Sequence, residues 1–193
     1  MFRLAVLVSG GGTNLQSVID HVEAGELPCE IVAVIADRPC YGLVRAENHG
    51  IKGILLDRKL YKRGFFTEAE RIFTEEKVDL VVLAGFLSIL TPEFTEKWKN
   101  KIINIHPSLL PKFGGKGMYG LKVHEAVLAA GESESGCTVH YVDGGIDSGE
   151  AILRAKVPVL PGDTPEILQQ RILVEEHKLL PAAIKKIITE EKS

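Results

Sequence analysis

Residues Asn104 to Gly117, NIHPSLLPKFGGKG, place an asparagine and a histidine two positions apart at the end of an apolar run. Side chains on a strand alternate between faces, so Asn104 and His106 share one side while Ile103 and Ile105 share the other. An asparagine amide can donate to a developing oxyanion, and an imidazole can carry a proton near neutral pH. At the carboxyl end of a late strand, the two would make an oxyanion site. The plainer alternative is a histidine satisfied by backbone at a strand end. Pro107 and Pro111 stiffen the loop that follows.

A second group lies in VHYVDGGIDSGE, residues 139–150. Thr138, His140 and Val142 would share one face of their strand, with Cys137, Val139 and Tyr141 on the other. Asp143 and Asp147 bracket a glycine-rich loop able to fold over a ligand. A carboxylate brought beside His106 would complement a positive imidazolium. Spacing alone leaves open whether either aspartate does this, because Asp and Gly are also the ordinary residues of a solvated turn. Calcium-loop spacing is absent. Cys137 makes a poor nucleophile, since nothing beside it in sequence would favour a thiolate. Three scattered cysteines without a CxxC pair suggest reduced thiols and no metal site.

The third group is VLVSGGGTNLQ, with Ser9 to Asn14 joining an apolar run to a helical pattern. Glycines let backbone approach a ligand, and a helix amino terminus offers unpaired N–H groups to an anion. Gly10 and Gly12 meet the start of a dinucleotide fingerprint, but Leu15 stands where its third glycine would be. With no G-K-[ST] either, the loop suits a phosphate monoester better than a pyrophosphate. A plain tight turn is the alternative, and Asp37 after the second strand keeps a dinucleotide reading in play.

The elements that must position these groups alternate almost without interruption. Strands are expected at 2–8, 30–36, 52–56, 80–84 and 101–106, and helices at 13–25, 41–49, 67–76 and 91–98. The β-branched strand runs suit a parallel sheet covered on both faces. After a loop at 107–120 come a helix near 121–130, two close strands at 136–142 and 151–159, and a last helix. That helix opens at Asp163-Thr164-Pro165 and runs to about Lys186. The pattern predicts an α/β fold, a Rossmann-like mostly parallel sheet with helices on both faces and an antiparallel C-terminal part. One domain is expected over 1–193, with a phosphate-binding half (1–100) and a catalytic half (101–193).

The apolar fraction of 45% is that of a soluble globular chain, and no stretch approaches the roughly 18–20 apolar residues of a membrane span. A formal charge of −3 argues against a nucleic-acid binder. The short apolar amino terminus passes straight into glycines and is read as a strand rather than a signal peptide. A cytoplasmic protein of small-molecule substrates is expected.

NIHPSLLPKF followed by GCTVHYVDGGIDSGEAIL is similar to the formyltransferases that use 10-formyltetrahydrofolate. With VLVSGGGTNLQ, VVLAGFLSIL and EEHKLLPAAI in order, nearly the whole chain resembles the phosphoribosylglycinamide formyltransferases of purine biosynthesis. That resemblance implies catalytic roles for Asn104, His106 and Asp147, the aspartate seven residues after His140. It implies that Gly11, Gly12, Thr13 and Asn14 hold the substrate phosphate and that Glu176 accepts from the ribose; its residue type alone would make Glu176 a solvated helix charge. Leu87, Ser88, Ile89 and Leu90, with His140, Val142, Asp143, Gly144 and Asp147, would line the folate pocket.

The implied chemistry is direct attack of the glycinamide ribonucleotide amine on the formyl group through a tetrahedral intermediate. Formyl-folate serves as co-substrate, without metal, in a monomer or homodimer. Many members carry arginine where Ser88 stands, the 112–120 loop is longer than usual, and the chain ends earlier than several relatives. The tRNA formyltransferases and formyl-folate hydrolases carry an extra domain for which 193 residues leave no room. A non-catalytic nucleotide-binding module is the rival of another class; it would bind nucleotide and ignore folate.

Overall fold

The computed structural model describes all residues, 1–193, and forms one seven-stranded sheet flanked by helices. The strands are β1 (Phe2–Val8), β2 (Cys29–Ala36), β3 (Gly53–Leu55), β4 (Leu80–Leu83), β5 (Ile102–His106), β6 (Glu134–Tyr141) and β7 (Ala151–Pro158). They lie in the order β3-β2-β1-β4-β5-β6-β7. The first five are parallel; β6 runs antiparallel to β5, and β7 to β6. The order reverses at β1, between β2 and β4, which opens a crevice beyond the carboxyl ends of β1, β4 and β5.

Strand alternation builds two cores. Leu4, Val6, Val8, Ile103, Ile105 and Val139 pack on one face against α1 (Thr13–Glu23) and α7 (Pro165–Glu191). Ala5, Leu7, Val81, Leu83 and Ile102 pack on the other against Phe65, Phe66, Phe73 and Phe94. The phenylalanines come from α4 (Gly64–Glu75) and α5 (Pro92–Lys97). The remaining helices are α2 (Tyr41–Asn48), α3 (Arg58–Tyr61) and α6 (Leu121–Ala129). No helix is long and apolar enough to cross a membrane.

Four expectations need correction. The short helix α3 is unanticipated, its start capped by the Asp57 carboxylate accepting from Lys59 N at 2.9 Å. Helix α4 begins at Gly64 rather than 67, because Phe65 and Phe66 are drawn into the core. Strand β6 starts at Glu134 rather than 136, extended by its ladder with β7. Helix α7 continues to Glu191, past the expected end near Lys186, because Ile187 and Ile188 still bury against the sheet.

That last helix contains Pro181 in its interior. Proline has no N–H, so the carbonyl of His177, four residues earlier, loses its helical donor. The Ser17 hydroxyl of α1 donates to that carbonyl instead. A vacancy in one helix is thus filled by a side chain from another, which fixes α7 in rotation and height beside α1. Ser17→Ala should therefore lower stability by about 1–3 kcal/mol, the cost of a buried unpaired carbonyl. Urea unfolding is the measurement, and a loss below a few tenths would mean that the bond is incidental.

Candidate active site

Asn104 and His106 both project from β5 on the face opposite Ile103 and Ile105, as strand alternation requires. The antiparallel register sets His140 directly across from Asn104 and Thr138 across from His106. His140 Nδ1 lies 2.9 Å from the Tyr141 carbonyl, so that nitrogen carries the proton and Nε2 is left as an acceptor. Asn104 Nδ2 donates to it at 3.2 Å. This contact orients the asparagine amide and commits one of its two N–H bonds. Burial pushes the His140 pKa down, opposed by the Tyr141 carbonyl and the Asp147 charge, which keeps the ring a neutral acceptor.

His106 is 4% exposed, with Nε2 2.9 Å from the Phe113 carbonyl and Nδ1 3.5 Å from Asp147 Oδ2. Both ring nitrogens face acceptors, a carbonyl and a carboxylate, an arrangement that complements an imidazolium. The other Asp147 oxygen lies 3.8 Å from His140 Nε2. Of the two candidate aspartates, Asp147 joins this group. Asp143 closes its own loop, accepting from Ser148 Oγ at 2.6 Å and Gly145 N at 2.8 Å. The Ser148 bond is the main cause holding the Asp143 carboxyl below the usual range.

Asp147 adopts a left-handed conformation, φ 54°, uncommon for a residue with a Cβ. It is held there by Gly115 N, which donates to Oδ2 at 3.1 Å. Gly114 allows the approach, because a Cβ on it would fall 2.5 Å from Leu110 Cδ2 and 3.3 Å from Asp147 Cβ. The loop after β5 is anchored beneath: Thr138 Oγ1 donates to the Ser108 carbonyl at 2.8 Å and accepts from Leu110 N at 3.1 Å. Sequence reading missed Gly114, Gly115 and Phe113. Two of the three contacts use backbone atoms, for which residue type gives no signal.

The glycine loop stands at the end of β1. Gly12 is the residue before α1, in the left-handed region at φ 72°. Thr13 and Gly11 are exposed, and Asn14 is half-buried. Asn14 Oδ1 is buried without a hydrogen-bond partner. Glu176 of α7 is 7% exposed, so it is a buried carboxyl and no solvated helix charge. Burial pushes its pKa up from 4.5 to about 7, with the Asn14 side chain drawing it partly back. Asn14 and Glu176, 162 positions apart in the chain, thus form a polar pair between α1 and α7.

Among the other expected residues, Leu87 and Ile89 are 51% and 68% exposed, while Ser88 and Leu90 are half-buried. Ser88 Oγ donates to Asp37 at 2.5 Å, so its hydroxyl is spent on the frame. Asp37 also accepts from Ser9 Oγ at 2.8 Å and Arg38 Nη2 at 3.0 Å. Burial would raise the Asp37 carboxyl, but hydrogen bonds from Arg38, Ser88 and Ser9 outweigh it and hold it low. Asp37 is therefore a structural tie, which removes the ribose acceptor a dinucleotide would need. Val142 is half-buried beside the aromatic core, and Gly144 is exposed in the flanking loop. Lys112 pairs with Glu132 at 3.1 Å and Lys116 is exposed. Burial pushes the Cys137 thiol up to about 12, against any nucleophilic role.

The formyl transferase family profile matches residues 2–184 of this chain. The chain belongs to the formyl transferase family. It is 41% identical over 188 residues to the phosphoribosylglycinamide formyltransferase of Haemophilus influenzae, covering 96% of this chain and 86% of that protein. It is also 44% identical over 185 residues to the trifunctional purine biosynthetic protein adenosine-3 of Bos taurus. That match spans 94% of this chain and only 18% of the trifunctional protein. Among solved structures, the phosphoribosylglycinamide formyltransferase of Anaplasma phagocytophilum superposes with a TM-score of 0.90 at 40% identity, over 98% of this chain and 87% of that one. The glycinamide ribonucleotide transformylase 1 of Symbiobacterium toebii gives 0.89 at 42%, covering 96% and 86%.

In this formyl transferase the buried Glu176 makes stability depend on pH. Its folded pKa of about 7 lies above the unfolded value, so the carboxyl is harmless when protonated and costs stability once ionised. Wild type should lose stability as pH rises from about 4.5 through 7. Relative to it, ligand-free Glu176→Gln should be neutral at the acid end and gain up to about 3 kcal/mol above pH 7. Urea unfolding across that range gives the difference, and a gain independent of pH would exclude the carboxyl as its source.

Proposed function

We propose that this chain transfers the formyl group of 10-formyltetrahydrofolate to the amine of glycinamide ribonucleotide, a step of purine synthesis. The reading rests foremost on Asn104, His106 and Asp147 converging at the crevice edge two strands from the glycine loop. It is supported by the names of relatives matched over most of their length. The exposed apolar side chains of Leu87 and Ile89, beside the half-buried Phe86 and Val142, fit the flat ring of a pterin. When bound, formyl-folate supplies a formyl carbon activated by its attachment to N10.

The residues then divide the work. Unpaired N–H groups at the start of α1, with Thr13, hold the phosphate, and the Glu176 carboxyl accepts from the ribose. The free N–H of Asn104 and the charge of His106 stabilise the oxyanion that develops as the amine adds to the formyl carbon. Asp147 faces His106 with one oxygen, stabilises its positive charge and helps a water carry the proton from the attacking amine to N10, so that the C–N10 bond breaks as the adduct collapses and tetrahydrofolate leaves. Ser88 acts here through the backbone of its segment, since its hydroxyl is engaged with Asp37.

The decisive assay follows tetrahydrofolate release from 10-formyltetrahydrofolate, with and without glycinamide ribonucleotide. Release should require the ribonucleotide and fall by about a thousandfold or more in His106→Ala. Asp147→Asn, which removes the charge facing His106, should cost about a hundredfold in kcat. Release without ribonucleotide would instead describe a hydrolase, and no release would exclude formyl-folate as donor.

A further inference from the structure

We infer that Arg45 is a positioning residue for the phosphate end of the substrate, setting the direction of the N–H groups in the glycine loop. This rests on the reading of the loop as the phosphate site. Helix α2 docks directly on the loop through two contacts. Gly42 N donates to the Gly10 carbonyl at 3.0 Å, and Arg45 Nε donates to the Gly11 carbonyl at 2.7 Å.

In a trans peptide the carbonyl and the following N–H point in opposite directions. Capturing the Gly10 carbonyl therefore turns the Gly11 N–H away from α2. Capturing the Gly11 carbonyl does the same to the Gly12 N–H. None of the N–H groups of Gly10, Gly11, Gly12, Thr13 and Asn14 donates to a backbone carbonyl. Without α2, three glycines could rotate these peptides freely and the donors would not converge.

Arg45 is itself held on three sides. Its Nη1 donates to Gln16 Oε1 at 3.2 Å, and its guanidinium lies 4.9 Å from the Tyr41 ring centroid. Gln16 in turn meets Asp20 at 2.9 Å and His49 at 3.2 Å, so the arginine bridges α1 and α2. The docking is close enough that a Cβ on Gly12 would sit 2.8 Å from Gly42 Cα and 3.3 Å from Arg45 Cδ. The charge of Arg45 also reaches α7, where it adds to burial in keeping the His177 pKa low. One side chain thus supplies both the orientation of the donors and a positive field for the anion.

The test compares wild type, Arg45→Ala and Arg45→Lys in steady-state kinetics. Arg45→Ala should raise KM for glycinamide ribonucleotide by about tenfold or more, the order of a lost charge-assisted bond. KM for formyl-folate and kcat should stay within about twofold. Arg45→Lys keeps the charge but cannot bridge Gly11 and Gln16 at once, and should fall between the two. Equal loss in kcat with KM unmoved, or full activity in the alanine variant, would overturn the assignment.

Thermal unfolding with inorganic phosphate reads the loop without the reaction. Wild type should be stabilised by phosphate, and Arg45→Ala should need about tenfold more phosphate for the same shift. Equal stabilisation of both would overturn the role of Arg45, whereas none in wild type would remove the phosphate site on which it stands. A wild type that responds to phosphate but transfers no formyl group leaves Arg45 supported and overturns the proposed reaction alone.

Discussion

The whole site depends on one register, the antiparallel pairing of β5 with β6. Because Asn104 lies opposite His140, the asparagine amide has an acceptor of fixed tautomer across the ladder. Because His106 lies opposite Thr138, the threonine hydroxyl can hold the loop that brings the Phe113 carbonyl to the histidine. A slip of one residue would turn β6 over, placing Val139 in the site and His140 in the core between α1 and α7. The core therefore guards against such a slip, because Ile103, Ile105 and Val139 bury together on the face opposite Asn104 and His140.

The parallel part of the fold was visible in the sequence because each strand is a short, mainly apolar run closed by a turn. The amphipathic spacing of Leu15, Val18 and Ile19 gave the first helix, and all three are buried as that spacing requires. What periodicity could not show was where elements end, since Phe65, Phe66, Ile187 and Ile188 extend their helices through contacts distant in sequence.

In the site, Asn104 and His106 could be grouped from two-residue spacing, whereas the choice between Asp143 and Asp147 could not be made that way. It is decided by chain geometry: Asp143 turns back on Ser148, while the left-handed backbone at Asp147 carries its carboxylate to His106. Glu176 was the least visible from its residue type. Its surroundings are made by Asn14, at the far end of the chain, and by the rotation of α7 that Ser17 and Pro181 fix.

The strand order also makes the sheet a ruler. The glycine loop leaves β1 and the Asn104–His106 pair ends β5, with β4 alone between them. Two steps at the ordinary strand spacing amount to about 10 Å. Backbone hydrogen bonds hold the ends of β1 and β5 at that span across the sheet. In the proposed reaction this frame favours an acceptor whose anionic group and nucleophile lie about that far apart, so that molecular length is selected by the sheet before any side chain touches the reacting atoms.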